Sequence, residues 1–115
     1  MFNVIIIGAE DTQNYNFFKT KTIKILSNKA KNHERIRILT TGDSYVEEFA
    51  KRYGIETIFF KTDWLSFGKE ALKYRNEEII KAADAIIFFQ NNKKDSQMLF
   101  NESKKNGIIY RLIEN

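Results

Sequence analysis

MFNVIIIGAE, residues 1–10, decides the fold. Phe2 to Ile7 is an almost continuous apolar, β-branched run ended by Gly8. A strand wet on one face alternates apolar and polar residues, so an unbroken run fits a strand covered on both faces, as in a parallel sheet between two helical layers. Ala85 to Phe89 repeats that character. Around these runs, Asn14 to Asn28 carries Phe18, Thr22, Ile25 and Leu26 with lysines between them, a helical period. Arg35 to Thr40 is a short strand. After the break at Thr41-Gly42, Asp43 or Ser44 caps a helix with Val46, Phe49, Ala50 and Tyr53 on one face, and Gly54 stops it. Ile55 to Lys61 reads as a third strand and Gly68 to Ala83 as a third helix. Ser96 opens a last helix to about Asn106, Gly107 ends it, and Ile108 to Ile113 supplies a fifth strand.

Strands alternating with helices over short loops predict an α/β fold. The expected form is Rossmann-like, with a doubly wound, mostly parallel five-stranded sheet, strand order 3-2-1-4-5 and helices on both faces. No repeat or linker interrupts residues 1–115, which read as a single domain. In such sheets ligands bind outside the carboxyl ends of the strands, where the strand order reverses, here between the first and fourth strands.

Composition narrows the class. A chain 43% hydrophobic and 30% charged is too apolar to stay disordered. No apolar run is long enough to span a bilayer, and the first residues lack the pattern of a signal peptide, so the expectation is a cytoplasmic protein with no membrane partner. Without cysteine, and with His33 as the sole histidine, no disulfide or zinc site is expected, and no metal or cofactor is assigned. The formal net charge of +4 raises the question of nucleic acid. The lysines Lys19, Lys21, Lys24, Lys29 and Lys31 are spread along a helix and loop, which reads as a solvated face and argues against a nucleic-acid partner. Abundant Lys, Asn and Ile with no Pro suit an AT-rich coding sequence, of the kind found in phages and low-GC bacteria.

Candidate site residues gather where the strands end. Gly8, Ala9 and Glu10 follow the first strand, and Thr41, Gly42 and Asp43 the second. Gly8 reads either as a plain turn or as a close approach for an anion, since the helices that follow offer free N–H groups. Glu10 and Asp43 are the candidate catalytic carboxylates, able to meet across the cleft as an acid/base pair; for Asp43 a helix cap is the preferred reading. Asp63 and Trp64 follow the third strand, with the indole read as a plug in the core in preference to a platform for a base. Leu72, Asn76, Ile79 and Ala83 share one helical stripe, which puts the amide of Asn76 on the buried face beside Arg75. The pair either ties the 62–68 loop to the helix or contacts a ligand. Lys93 and Lys94 before Ser96 either grip phosphate at a helix start or are solvated. Glu77-Glu78 and Glu47-Glu48 diverge by about 100° on their helices and read as solvated. His33 reads as a surface histidine.

TDWLSFGKEALKYRNEEIIKAADAIIFF, residues 62–89, resembles the YspA/YpsA-like branch of the SLOG superfamily. Asp63, Trp64, Phe67, Gly68, Arg75, Asn76, Glu77 and Asp84 fall on the family pattern in order and spacing. VIIIGAEDTQNY is similar to its opening strand and glycine motif, and GDSYVEEFAKRYGI to the helix that begins with a family Asp. The resemblance implies a Rossmann-like fold and a pocket for nucleotides or nucleotide-derived molecules. The superfamily includes phosphoribohydrolases, a molybdenum-cofactor carrier, sensors of ADP-ribose-derived signals and DNA-processing proteins. This chain departs from the pattern with Ala9 and Glu10 in place of Gly and Arg, a shortened Thr40-Thr41-Gly42-Asp43 loop, and Lys93-Lys94-Asp95-Ser96 in place of a Ser-x-Gly-Thr turn.

Function is therefore expected to be binding of a nucleotide-like small molecule, as a sensor, carrier or sequestering protein. The alternatives are a nucleoside-monophosphate phosphoribohydrolase-like enzyme, against which stands the missing PGGxGTxxE motif, a scaffold whose pocket has degenerated, and a DNA-binding protein. Phe59, Phe60, Phe67 and Tyr74 exceed the needs of one small core, which predicts a homo-oligomer.

Overall fold

The two apolar runs lie side by side at the centre of the sheet. A computed structural model describes residues 1–30 and 34–115; Lys31 and His33, read above as solvated, lie outside the described residues. β1 (Phe2–Ile7) pairs in parallel with β4 (Ala85–Phe89) through Val4↔Ala85 to Ile7↔Phe88. β2 (Ile36–Thr40) flanks β1, β3 (Glu56–Phe59) flanks β2, and β5 (Ile109–Ile113) flanks β4. All four pairings are parallel and the order is β3-β2-β1-β4-β5, the order the alternation predicts.

Alternate residues of the strands feed two cores. Val4, Ile6, Ile38, Ile87 and Phe89 pack under α1 (Tyr15–Ala30) and α2 (Ser44–Tyr53), against Phe18, Leu26, Val46, Phe49 and Ala50. Ile5, Ile7, Leu39, Ile86 and Phe88 pack on the other face under α4 (Ala71–Ala82) and α5 (Lys94–Lys105), against Ile79, Ile80, Leu99 and Phe100. Each fully buried side chain of this kind contributes about 1.5–3 kcal/mol, and the period of two in the strands sorts them between the faces. Phe18 gathers Phe49 and Phe89 around it at ring separations of 5.6 and 5.3 Å, edge on, and so joins α1 to α2 and to β4.

Five expectations need correction. β3 ends at Phe59 and not at Lys61: it is an edge strand, and after the Phe60 N–H bonds to the Thr40 carbonyl the chain turns away. The third helix does not start at Gly68. A single turn, α3 (Trp64–Phe67), is capped by Asp63 and broken at Gly68, a 3-10 turn follows, and α4 begins at Ala71. Trp64 plugs no core; α3 points outward and its indole is 57% exposed. Ser96 does not open the last helix, which starts at Lys94 after Lys93 at the cap position, so its hydroxyl stands within the first turn and not at the cap. Tyr53, placed by its spacing on the buried face of α2, is half exposed at the helix end.

Candidate functional site

The carboxyl edge of the sheet holds two dissimilar regions. In the first, the chain turns at Gly8 with φ +79°, and a Cβ there would lie 2.3 Å from the Phe89 carbonyl oxygen and 2.7 Å from the Asn91 amide nitrogen. The glycine is required by the close approach of the β1 and β4 ends. A 3-10 turn, Ala9–Asp11, then carries Glu10 to the start of α2. Asp43 caps α2 through Oδ1, which accepts from the N–H of Tyr45 and Val46 at 3.0 and 3.3 Å, while its Oδ2 accepts from the Glu10 N–H at 3.1 Å. The Glu10 carboxylate in turn accepts from the N–H and hydroxyl of Ser44 at 3.0 and 2.9 Å. Thr40 Oγ1 takes the N–H of Gly42 at 3.1 Å, Thr41 is half-buried beside it, and Gly42, at φ +109°, leaves room for the Phe59 ring.

Glu10 and Asp43 are thus brought together, but as joint caps of one helix. The N–H groups that a phosphate would need already have carboxylate acceptors. The two acids are driven apart in pKa: burial pushes Asp43 up against the N–H groups that favour its anion, whereas the Ser44 N–H and hydroxyl hold exposed Glu10 below its ordinary value. Next door, Lys93 reaches Asp11 at 3.0 Å, which raises its pKa, and the Asn91 side chain accepts the Lys93 N–H at 2.8 Å. The loops after β1 and β4 are tied across the point where the strand order reverses. Lys94 is exposed and Ser96 half-buried in the first turn of α5, and the side chain of neither makes a hydrogen bond among the described residues.

The second region lies beside β3. A cleft of about 320 Å³ runs between the 61–68 segment and α4, lined by Lys61, Asp63, Phe67, Ala71, Tyr74, Arg75 and Glu78. The Arg75 guanidinium is fixed in its wall by neutral acceptors. Its Nε and Nη2 donate to Asn76 Oδ1 at 3.1 and 2.8 Å, and Nη1 donates to Thr62 Oγ1 at 3.1 Å. Three of five N–H donors are therefore used and two remain. Among the described residues Arg75 makes no ion pair, and partial burial lowers its pKa against the distant pull of Asp95 and Glu102. Asn76 is fully buried, and its Nδ2 has no partner among the described residues, so its amide serves as the acceptor that orients Arg75. The Phe67 and Tyr74 rings lie 4.5 Å apart, tilted by 41°, on the cleft wall. Asp63 is committed to the Ser66 N–H at 3.1 Å, which lowers its pKa; Glu78 is exposed at the rim.

Of the residues singled out from sequence, Gly8, Ala9, Glu10, Thr41, Gly42 and Asp43 form the first region, and Asp63, Arg75 and Asn76 belong to the second with Trp64 next to it. The reading in which Arg75 ties the 62–68 loop to the helix matches its bond to Thr62; sequence reasoning missed Lys61, Tyr74 and Glu78 as neighbours of Arg75. Tyr74 and Glu78, one turn apart on α4, carried the available signal, because residues at that spacing share a helix face. A larger hollow of about 470 Å³ lies at the opposite, amino edge of the sheet, lined mainly by apolar residues such as Leu26, Phe49 and Ile55 and bordered by Glu34. It sits away from the helix N-termini, and we assign it no role. No group of His, Asp and Glu suited to a metal ion occurs among the described residues, and no described helix is long and apolar enough to cross a membrane.

No protein-family model matches the chain, and no curated protein matches it. The resemblance to the SLOG superfamily rests on the motif residues themselves.

Proposed function

We propose that the chain binds a nucleotide-type small molecule in the cleft beside β3, with Arg75 as its anion contact. The observation that carries this is the Arg75 guanidinium, held in place by two neutral acceptors, partly desolvated, in no ion pair among the described residues and with two donors left over. A cation so placed gains most from a bidentate phosphate or carboxylate. The rest of the lining suits the remainder of such a ligand. Lys61 adds positive charge, the tilted Phe67–Tyr74 pair offers apolar ring surface to a base, and Glu78 can accept hydrogen bonds from hydroxyl groups of a sugar. A volume near 320 Å³ falls at the small end of ligand sites, in the range of one nucleotide unit.

Binding without turnover is the preferred reading, because Glu10 and Asp43, the candidate acid/base pair, are occupied as caps of α2. The exposed Trp64 and the fully exposed Leu65 beside the cleft support a second element of the proposal, association of two copies over this face. Sedimentation of Leu65→Asp against the parent tests it, with loss of the dimer as the expected result.

Thermal melting with mononucleotides and ADP-ribose-like compounds tests the ligand. At 100 times its Kd a ligand adds about 2.7 kcal/mol, a rise on the order of 10 °C for a domain of this size. Arg75→Lys should weaken binding about tenfold to a hundredfold, the worth of hydrogen bonds to a charged group. A panel without effect, or a shift that survives in Arg75→Lys, would remove the assignment.

A further inference from the structure

The two edges of the sheet differ. β3 is short, and Glu56 at its start is paired with Arg37 at 3.3 Å, a charged edge of the kind that discourages further strands. β5 is apolar: Ile109 is 69%, Tyr110 50% and Leu112 42% exposed. The Ile113 carbonyl accepts the Gln90 N–H at 2.8 Å, so the strand alternation turns the N–H and C=O groups of Tyr110 and Leu112 away from β4, toward solvent. On the α1 face, a cleft of about 180 Å³ opens between β5 and α1 over Val4, Ile25, Ile87 and Ile109. A cavity of about 150 Å³ with such a lining takes a benzene ring, so this one has room for a ring or a branched side chain.

The surround of this edge is cationic. Lys21, Lys24, Lys29 and Arg111 line this cleft and the one adjoining it. None of the four is in an ion pair among the described residues, and α1 contains no acidic residue.

We propose that the free edge of β5 accepts an extended, acidic segment of a partner protein as a sixth strand. Main-chain hydrogen bonds to Tyr110 and Leu112 supply the pairing. Apolar residues at alternate positions pack on Ile109 at the mouth of the cleft, and Asp or Glu near them meet Lys21, Lys24 and Arg111. A second copy of this chain fits badly, because two-fold pairing of β5 with itself would bring together two copies of the same uncompensated cations. A lipid surface would leave the outward N–H and C=O groups of β5 without partners.

Short random peptides displayed on phage and selected on the immobilised protein test the proposal. The enriched sequences should alternate apolar residues with Asp or Glu, and their synthetic versions should shift the β5 amides in NMR spectra. The Lys21→Glu/Lys24→Glu double variant should bind them at least about tenfold more weakly, a change of about 1.4 kcal/mol. Leu112→Pro, which removes an outward N–H where an edge strand tolerates proline, should abolish binding. If Leu112→Pro lowers the melting temperature, the charge reversal at two exposed helical positions decides alone. The proposal is overturned by selection without enrichment, by neutral or basic winners, by peptides that bind the charge-reversed protein as tightly as the parent, or by phosphatidylserine vesicles binding where peptides do not.

Discussion

At the β1–β2 corner the helix start is closed by the chain's own carboxylates; at the β3–α4 cleft a fixed cation makes no ion pair among the described residues. Both regions lie at the carboxyl edge, where open α/β sheets bind ligands. Asp43 and Glu10 take up the N–H groups of Tyr45, Val46 and Ser44, and Lys93 is taken up by Asp11. Among the described residues Arg75 bonds only to Thr62 and Asn76. A helix N-terminus is therefore an anion site only while no side chain of the protein has claimed it. The corner should behave as structure and the cleft as function, and substitutions can separate the two.

The largest effect is expected at the tightest point of the corner. Gly8→Ala places a methyl group 2.3 Å from the Phe89 carbonyl oxygen at a positive φ, and should cost about 3 kcal/mol in denaturant unfolding. A variant as stable as the parent would show that the β1 and β4 ends are not closely joined. Asp43→Ala removes a buried cap with three N–H partners and should cost about 2 kcal/mol. Asp63→Ala removes the corresponding cap of α3, a single exposed turn, and should cost only about 0.5 kcal/mol by the same measurement. Equal costs at the two caps would erase the distinction between closed corner and open cleft.

The smallest effect is the pH dependence of the corner, where the two acids act in opposite senses. Glu10 is held below its ordinary 4.5, so its contribution is present above that value and is lost as the pH falls through its folded pKa. Asp43 is raised above 3.8, so its contribution is complete below that value and declines as the pH rises through its folded pKa. Melting curves should accordingly show a flatter acid limb below about pH 4.5 for Glu10→Gln, and a smaller loss of stability above about pH 3.8 for Asp43→Asn.

The central strands and their order are legible in the sequence because a strand covered on both faces leaves an unbroken apolar run, as Phe2–Ile7 and Ala85–Phe89 do. Asp43 as a cap is legible for a local reason: an Asp placed before an amphipathic helix bonds backbone groups two and three residues away. Ser96 misleads because its residue type signals a helix start, whereas the chain begins α5 at Lys94 with Asn91 accepting the Lys93 N–H. Trp64 misleads because aromatic character does not reveal which way a one-turn helix faces. That Arg75 is held by neutral acceptors depends on how Thr62 and Asn76 meet it in space, and no spacing in one segment encodes that. The stripe that puts Asn76 on the buried face is as far as periodicity reaches.

The most direct test is a titration with the nucleotide that gives the largest thermal shift, followed by NMR of backbone amides and arginine Nε–Hε groups. Saturable shifts are expected at the Arg75 Nε–Hε and at the amides of Lys61 and Tyr74, with Ser44, Tyr45 and Val46 unmoved. Shifts centred on Gly8, Ser44 and Tyr45 with Arg75 silent would contradict the assignment to the cleft, and would return the ligand to the corner that Glu10 and Asp43 close.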